Sequence, residues 1–257
     1  MATIAAPDTI VRSDDRFFLV TSYLMALVVF AGFSVALASG RSSFASPPIV
    51  HAHALVFMGW VVLYVAQNSL VSRGAIALHR GLGWIGAGWV VAMVVLGTLV
   101  TTRLAQLGRV PPVFLPAQFL VFDPVLILTF AGLTAAAIVL RRSTQWHRRL
   151  HYCGMALLLG PAFGRLLPLP LLIPYAYEVD FLAVLIFPLI GIAADIRRSG
   201  SVHPAWWWGL GAIVGSTVLV ELITFSPLGA AFYAAVVAGT PGAAVSGYAF
   251  PPFPGMP

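Results

Sequence analysis

Lysine is absent from all 257 residues, cysteine occurs once, and only 9% of the chain is charged. Each shortage closes off a class of function. Without a lysine amine no Schiff base can form with retinal or pyridoxal phosphate, so a seven-helix photoreceptor and a pyridoxal enzyme are both excluded. The lone Cys153 rules out disulfides within the chain and cysteine-based metal clusters. So few charges cannot cover a water-soluble domain of this length. There is also no phosphate loop, nucleotide fingerprint or nucleophile–base pair, which argues against a soluble-type enzyme.

What is present is apolar. Hydrophobic residues make up 60% of the chain, and the mean hydropathy is +0.96. Seven apolar runs, roughly 17–39, 49–70, 82–102, 120–140, 148–167, 174–194 and 205–225, are each close to the length that crosses a bilayer as a helix. None alternates polar with apolar residues as a barrel strand would. The reading is all-α, a polytopic transmembrane helical bundle of about seven spans. It has a segment at 1–16 before the bundle, the bundle itself at 17–225, and a Gly/Pro-rich tail at 226–257. The "ALAS" at 36–39 looks like a signal-cleavage site, but the apolar run before it is too long for a signal core, so it is expected to stay as the first helix.

All 14 basic residues are arginine. With loops counted from the N-terminus, Arg12, Arg16, Arg73, Arg80, Arg141, Arg142, Arg148, Arg149, Arg197 and Arg198 fall on one side. Arg41, Arg103, Arg109 and Arg165 fall on the other. Arginine marks the cytoplasmic face, which places the N-terminus inside and the tail outside. The net charge of +6 then draws the protein to anionic lipid, and no basic stripe for nucleic acid is visible.

Two corners align. "HRGLGWIG" (79–86) and "HRRLHYCG" (147–154) match at His79/His147, Arg80/Arg148, Leu82/Leu150, Trp84/Tyr152 and Gly86/Gly154. "HPAWWWG" (203–209) is a looser third copy starting at His203. Either three similar hairpins follow one extra helix, or three interfaces have independently collected His, Arg and Trp. In the hairpin case His79, His147 and His203 share one depth, and His151 joins His147 on the same helix face. Such a set offers a metal site or axial ligands for haem b. The alternative is solvated imidazoles among headgroups. No carboxylate stands where the zinc-protease motif HExxH would need one.

"LHRGLGW", "RRSTQWHRRL" and "VHPAWWWG" resemble a loosely defined group of bacterial multi-helix inner-membrane proteins with no assigned activity, over about His51 to Trp208. The resemblance implies a multi-pass protein of the bacterial inner membrane. The chain is also distantly similar to b-type cytochrome bundles, which implies haem held between helix histidines.

The other side collects further ionisable groups: His51, His53, Asp123, Arg165, Glu178, Asp180 and Glu221. Charges inside spans are costly and usually face a cavity or one another. His51 and His53 would point about 160° apart on a helix, so "HAH" can hold a metal only if the helix start is unwound. Gln67 lies about 40° from His53 around the second span, giving that span a polar face. Asp123 before Pro124 has the pattern of a helix N-cap. A polar pocket of His53, Gln67, Arg165, Glu178, Asp180 and Glu221 could take a small solute, a quinone head or a cation, and Arg165 is expected to pair with one of the acids. The tail, "GTPGAAVSGYAFPPFPGMP", should be extended, with Tyr248, Phe250 and Phe253 available to a membrane-protein partner. Three functions remain open: a haem- or quinone-linked electron carrier, a small-solute transporter, and a non-catalytic subunit of larger membrane machinery.

Overall fold

The structure is a computed structural model and describes residues 8–253. Residues 1–7 of the segment expected before the bundle lie outside this range, and the rest of that segment is already helical. The helices are α1 (Asp8–Ala38), α2 (Pro48–Ser72), α3 (Ile76–Gln106), α4 (Pro116–Val139), α5 (Thr144–Leu157), α6 (Gly160–Leu166), α7 (Ala176–Val184), α8 (Ile186–Ser199), α9 (Pro204–Thr224) and α10 (Pro227–Val237). Among the described residues six segments are long and apolar enough to cross a membrane: α1 from Asp14, α2, α3, α4, α7 with α8, and α9. Together α5 and α6 occupy the place of the remaining run. A helical membrane bundle is therefore the architecture, because helices satisfy every backbone group where no water is available.

Proline sets the boundaries. It stands in the first turn of α2, α4, α6, α9 and α10, where its missing N–H is not needed. Gly200 ends α8 with φ 70°, a left-handed position that a Cβ would strain. Inside the apolar runs proline breaks the helix instead. Ahead of Pro161 the backbone tightens into i→i−3 bonds: Leu158 N donates to Met155 O (3.2 Å) and Leu159 N to Ala156 O (3.0 Å). The break leaves the bare backbone of Gly160 facing α7. Pro124 is tolerated inside α4, so Asp123 is not the expected N-cap; α4 begins two turns earlier at Pro116.

α5 is the hub. It packs on α4, α9, α8 and α1, and α6 lies along α1. Tyr152, Cys153, Ala156 and Trp206 are fully buried there, while Trp84 and Trp208 are 63% and 69% exposed on the perimeter. The three aligned corners thus all begin helices at one end of the bundle, but their aromatic positions have unlike surroundings.

Over its described residues, 226–253, the tail is not extended, and it opens with α10. After α10, Ala117 N donates to Gly247 O (3.0 Å), Tyr233 Oη to Val245 O (3.2 Å) and Tyr248 Oη to Thr224 O (2.9 Å). These bonds fasten the segment over the ends of α3, α4 and α9. Tyr248 also meets Phe225 at 6.1 Å, so this aromatic is engaged within the chain. The contact depends on Gly242, where a Cβ would lie 2.1 Å from the carbonyl oxygen of Ala105. Gly242→Ala should lift the tail, and hydrogen exchange at Ala117 and Val245 should accelerate while the melting of the bundle changes little. Unchanged exchange would show that the tail is held by other contacts.

Candidate functional site

Ionisable side chains gather at both ends of the bundle, called here the arginine-rich and arginine-poor ends. At the arginine-rich end His79 lies in the first turn of α3, with His147 and His151 one turn apart on α5. The His79 and His147 rings are 6.1 Å apart between centroids and nearly perpendicular, and those of His147 and His151 are 4.7 Å apart. His147 Nδ1 is 2.8 Å from the carbonyl oxygen of Ala137. A carbonyl only accepts, so Nδ1 carries the proton and Nε2 keeps its lone pair. Gln67 fixes the other ring. With its amide turned to satisfy all its neighbours, the nitrogen donates to His79 O (3.1 Å) and His79 Nδ1 (2.6 Å), and the oxygen accepts from Gly83 N (2.9 Å). In neutral His79 the proton therefore sits on Nε2. The two rings present outward nitrogens of opposite kind, one donor and one acceptor.

Gln67 thus belongs with His79, at the opposite end of α2 from the pocket in which the sequence placed it. His203 stands apart from the trio. Its ring packs against Trp146 at 5.4 Å, its Nδ1 accepts from Ala205 N (3.2 Å) as the N-cap of α9, and its backbone N donates to Asp195 Oδ2 (3.3 Å). Burial, then the nearby Arg149, lowers the His203 pKa below its ordinary value, as an accepting Nδ1 requires.

Beside the histidines lies an ion-pair network that the sequence reading passed over. Arg149 holds Asp195 with Nε–Oδ2 at 2.9 Å and Nη2–Oδ1 at 2.6 Å, and the two side chains are only 5% and 3% exposed. Trp206 Nε1 donates to Asp195 Oδ2 (2.8 Å), and Arg198 Nη2 reaches Oδ1 (3.2 Å). Arg148 pairs with Asp14 (2.6 Å) and Asp15 (3.1 Å), while Arg149 also donates to the Gln145 side chain. The network ties α1, α5, α8 and α9 together around a cavity of ≈ 290 Å³ lined in part by Gln145, Ser199 and His203. A signal for it existed. Asp195 directly follows the apolar run at 174–194 and stands three residues before Arg198, and Asp14 and Asp15 directly precede Arg16.

At the arginine-poor end the expected chelating pair does not form. α2 is helical from Pro48, so His51 and His53 diverge. His51 Nε2 contacts Phe44 O (3.2 Å), whereas His53 turns inward onto Phe57 (4.1 Å) with its Nδ1 buried and without a partner. Among the described residues no group of three or more His, Cys, Asp or Glu has the arrangement of a metal site. Glu221 accepts from Gln118 (2.8 Å), and Glu178 is exposed. Arg165 has no carboxylate at ion-pair distance among the described residues. It donates to Pro161 O (2.5 Å) and stacks on Phe33 at 4.1 Å, so the expected ion pair is replaced by a carbonyl and an aromatic face.

α2 links the two ends. His53, Trp60 and Gln67 recur every seven residues and share one face. Trp60 sits midway, edge-on to Phe130 at 5.1 Å, with its Nε1 buried and without a partner. Phe57 and Ile127 close around Gly97, where a Cβ would meet them at 3.4 and 3.8 Å. An aromatic and aliphatic layer therefore separates the histidine trio from the far cluster.

Compared with known protein families, curated proteins and solved structures, the chain matches none, so its chemistry is read from its own side chains.

Proposed function

We propose that this integral membrane protein passes protons through the arginine-rich half of the bundle along His79, His147 and His151, as the proton-handling part of a solute- or electron-coupled process. The observation carrying this reading is the pair of opposed tautomers: Gln67 and Ala137 leave a donor nitrogen on His79 and an acceptor nitrogen on His147, which is the polarity a relay needs. His151, one turn deeper, continues the path toward the middle of the bundle. The arginine bias orients this end toward the cytoplasm of a bacterial inner membrane, with the tail outside.

Proteoliposomes containing the full chain and a pH-sensitive dye would test it under an imposed potassium diffusion potential. The protein should acidify the lumen well above the rate of empty vesicles, and His147→Phe should remove most of the excess, about tenfold or more, without loss of fold. Equal rates for protein and empty vesicles would overturn the proposal.

The bond from His147 to Ala137 supports a second reading, because a ligating imidazole is commonly oriented through its other nitrogen in this way. His79 and one α5 histidine come from different helices, as axial ligation of haem b requires, and haem would supply one-electron transfer there. The donor set fits only if Gln67 releases His79 into its other tautomer. A Soret band from protein purified after haem-supplemented expression, abolished by His147→Ala, is expected on this reading alone.

A further inference from the structure

Net positive charge draws the whole protein toward anionic lipid, but one place at the arginine-rich end is shaped to hold a single lipid molecule. α1 and α8 both pack on α5, yet they make little contact with each other. Between them lies a groove of ≈ 420 Å³, lined in part by Arg16, Phe17 and Val20 of α1 and by Ala194, Arg197 and Arg198 of α8. Arg198 ties the two helices together across it. Its guanidinium lies 4.5 Å from the centre of the Phe17 ring, and Nη1 is 3.3 Å from Asp14 Oδ1.

The rim of this groove carries more positive charge than the chain neutralises. Arg16 and Arg197 are exposed and form no ion pair among the described residues. Arg198 engages Asp14 and Asp195 through its two Nη atoms, while its Nε is buried without a partner. Among the described residues no carboxylate lines the groove. The nearby acids are already held from the other side, Asp14 and Asp15 by Arg148 and Asp195 by Arg149.

Deeper in the membrane the walls of the groove turn apolar. On α1, Leu24 and Leu27 follow Val20 on one helix face, and all three are exposed. On α8, Ile190 stands one turn deeper than Ala194 and is exposed as well. Arginine at the rim and open apolar walls below match the two ends of a phospholipid. Paired guanidinium N–H groups suit a phosphate. A choline or ethanolamine headgroup would bring a second cation beside Arg16 and Arg197, with no acid in the groove to receive it. We propose that the groove between α1 and α8 binds one anionic phospholipid, its phosphate held by Arg16 and Arg197 and one acyl chain lying along Val20 and Ala194 toward Leu24 and Ile190.

This site needs no proton transfer by the histidines, so it stands or falls independently of the relay. Native mass spectrometry of the full chain in detergent tests it, by titration with dioleoyl phosphatidylglycerol, dioleoyl phosphatidylcholine and glycerol 3-phosphate. Phosphatidylglycerol should fill one saturable site about tenfold or more tighter than either of the others, since each arginine near a lipid surface contributes about fivefold. Arg16→Ala with Arg197→Ala should bring it down to the phosphatidylcholine level, while the melting temperature without added lipid holds. Arg73→Ala with Arg142→Ala removes the same charge from exposed positions at the same end and should leave the binding unchanged. Ala194→Leu, which fills the apolar wall without altering charge, should weaken binding too, and it is the second variant if the arginine pair fails to fold. Equal affinity for the two lipids, or equal losses in the two arginine double variants, would overturn the proposal. So would equal binding of glycerol 3-phosphate, which would mark a site for free phosphate instead.

Discussion

Asp195→Ala should destabilise the detergent-solubilised protein by about 3–5 kcal/mol, the cost of leaving a buried charge without its partner. Arg149 is 5% exposed and makes two charged hydrogen bonds to this carboxylate, so neither bulk water nor lipid can take its place. The same substitution strips Trp206 Nε1 of its acceptor, inside a ring with 0% exposure. Arg149→Met combined with Asp195→Leu should recover much of the loss, because removing both charges also removes the desolvation they demand. The comparison needs the midpoints of thermal unfolding for the two singles and the double. A single substitution costing under about 1 kcal/mol would mean that the pair behaves like a solvated surface bridge.

Gly32→Ala should also cost more than a one-methyl change normally does. The added Cβ would lie 2.6 Å from the carbonyl oxygen of Ala162 and 3.0 Å from its Cα, so it meets backbone that no rotamer change can move. α1 would have to separate from α6 along the seam where small residues let the two approach. Overpacking of this kind costs about 1–3 kcal/mol. Gly209→Ala is expected to behave similarly, since its Cβ would fall 2.3 Å from Cys153 Sγ in the fully buried hub. Gly88→Ala and Gly211→Ala meet nothing within 4 Å and should leave the midpoint unchanged or slightly raised. If all four alanine variants melt alike, close helix approach is not what stabilises the bundle.

The bundle itself was legible from composition, because a bilayer leaves a long apolar run little choice but a helix. The starts at Pro48 and Pro204 fell within a residue of the apolar runs at 49–70 and 205–225, whereas α4 begins at Pro116, four residues before its run, and α10 lies inside the segment read as tail. The corner at His147 was visible as a turn with His151 on the same helix face, though whether it faced the interior was left open, and Gln67 was visible as part of the polar face of α2. Its depth was misread. Gln67 was grouped with His53 because both share a face, but fourteen residues of helix separate them by about 21 Å, which is most of the bilayer core. Asp123 was misread in another way. A local pattern, acid before proline, mimics a cap, and only the position of α4 shows that the pattern falls inside the helix.

Composition and periodicity thus determined that the chain is a helical membrane bundle with few charges and therefore costly ones, because these follow from local chemistry and from the solvent alone. Which charge meets which was decided by the tertiary structure. Arg149 and Asp195 are 46 residues apart and Arg148 and Asp14 are 134 apart, so no window of sequence contains either pair. Arg165 shows the converse: an arginine expected to find an acid found a carbonyl and a phenylalanine, because the break at Pro161 exposed one and the packing of α1 supplied the other. Helices form from interactions four residues apart, but pairings among them depend on how proline breaks and glycine contacts set helices side by side, and that is a property of the packed chain.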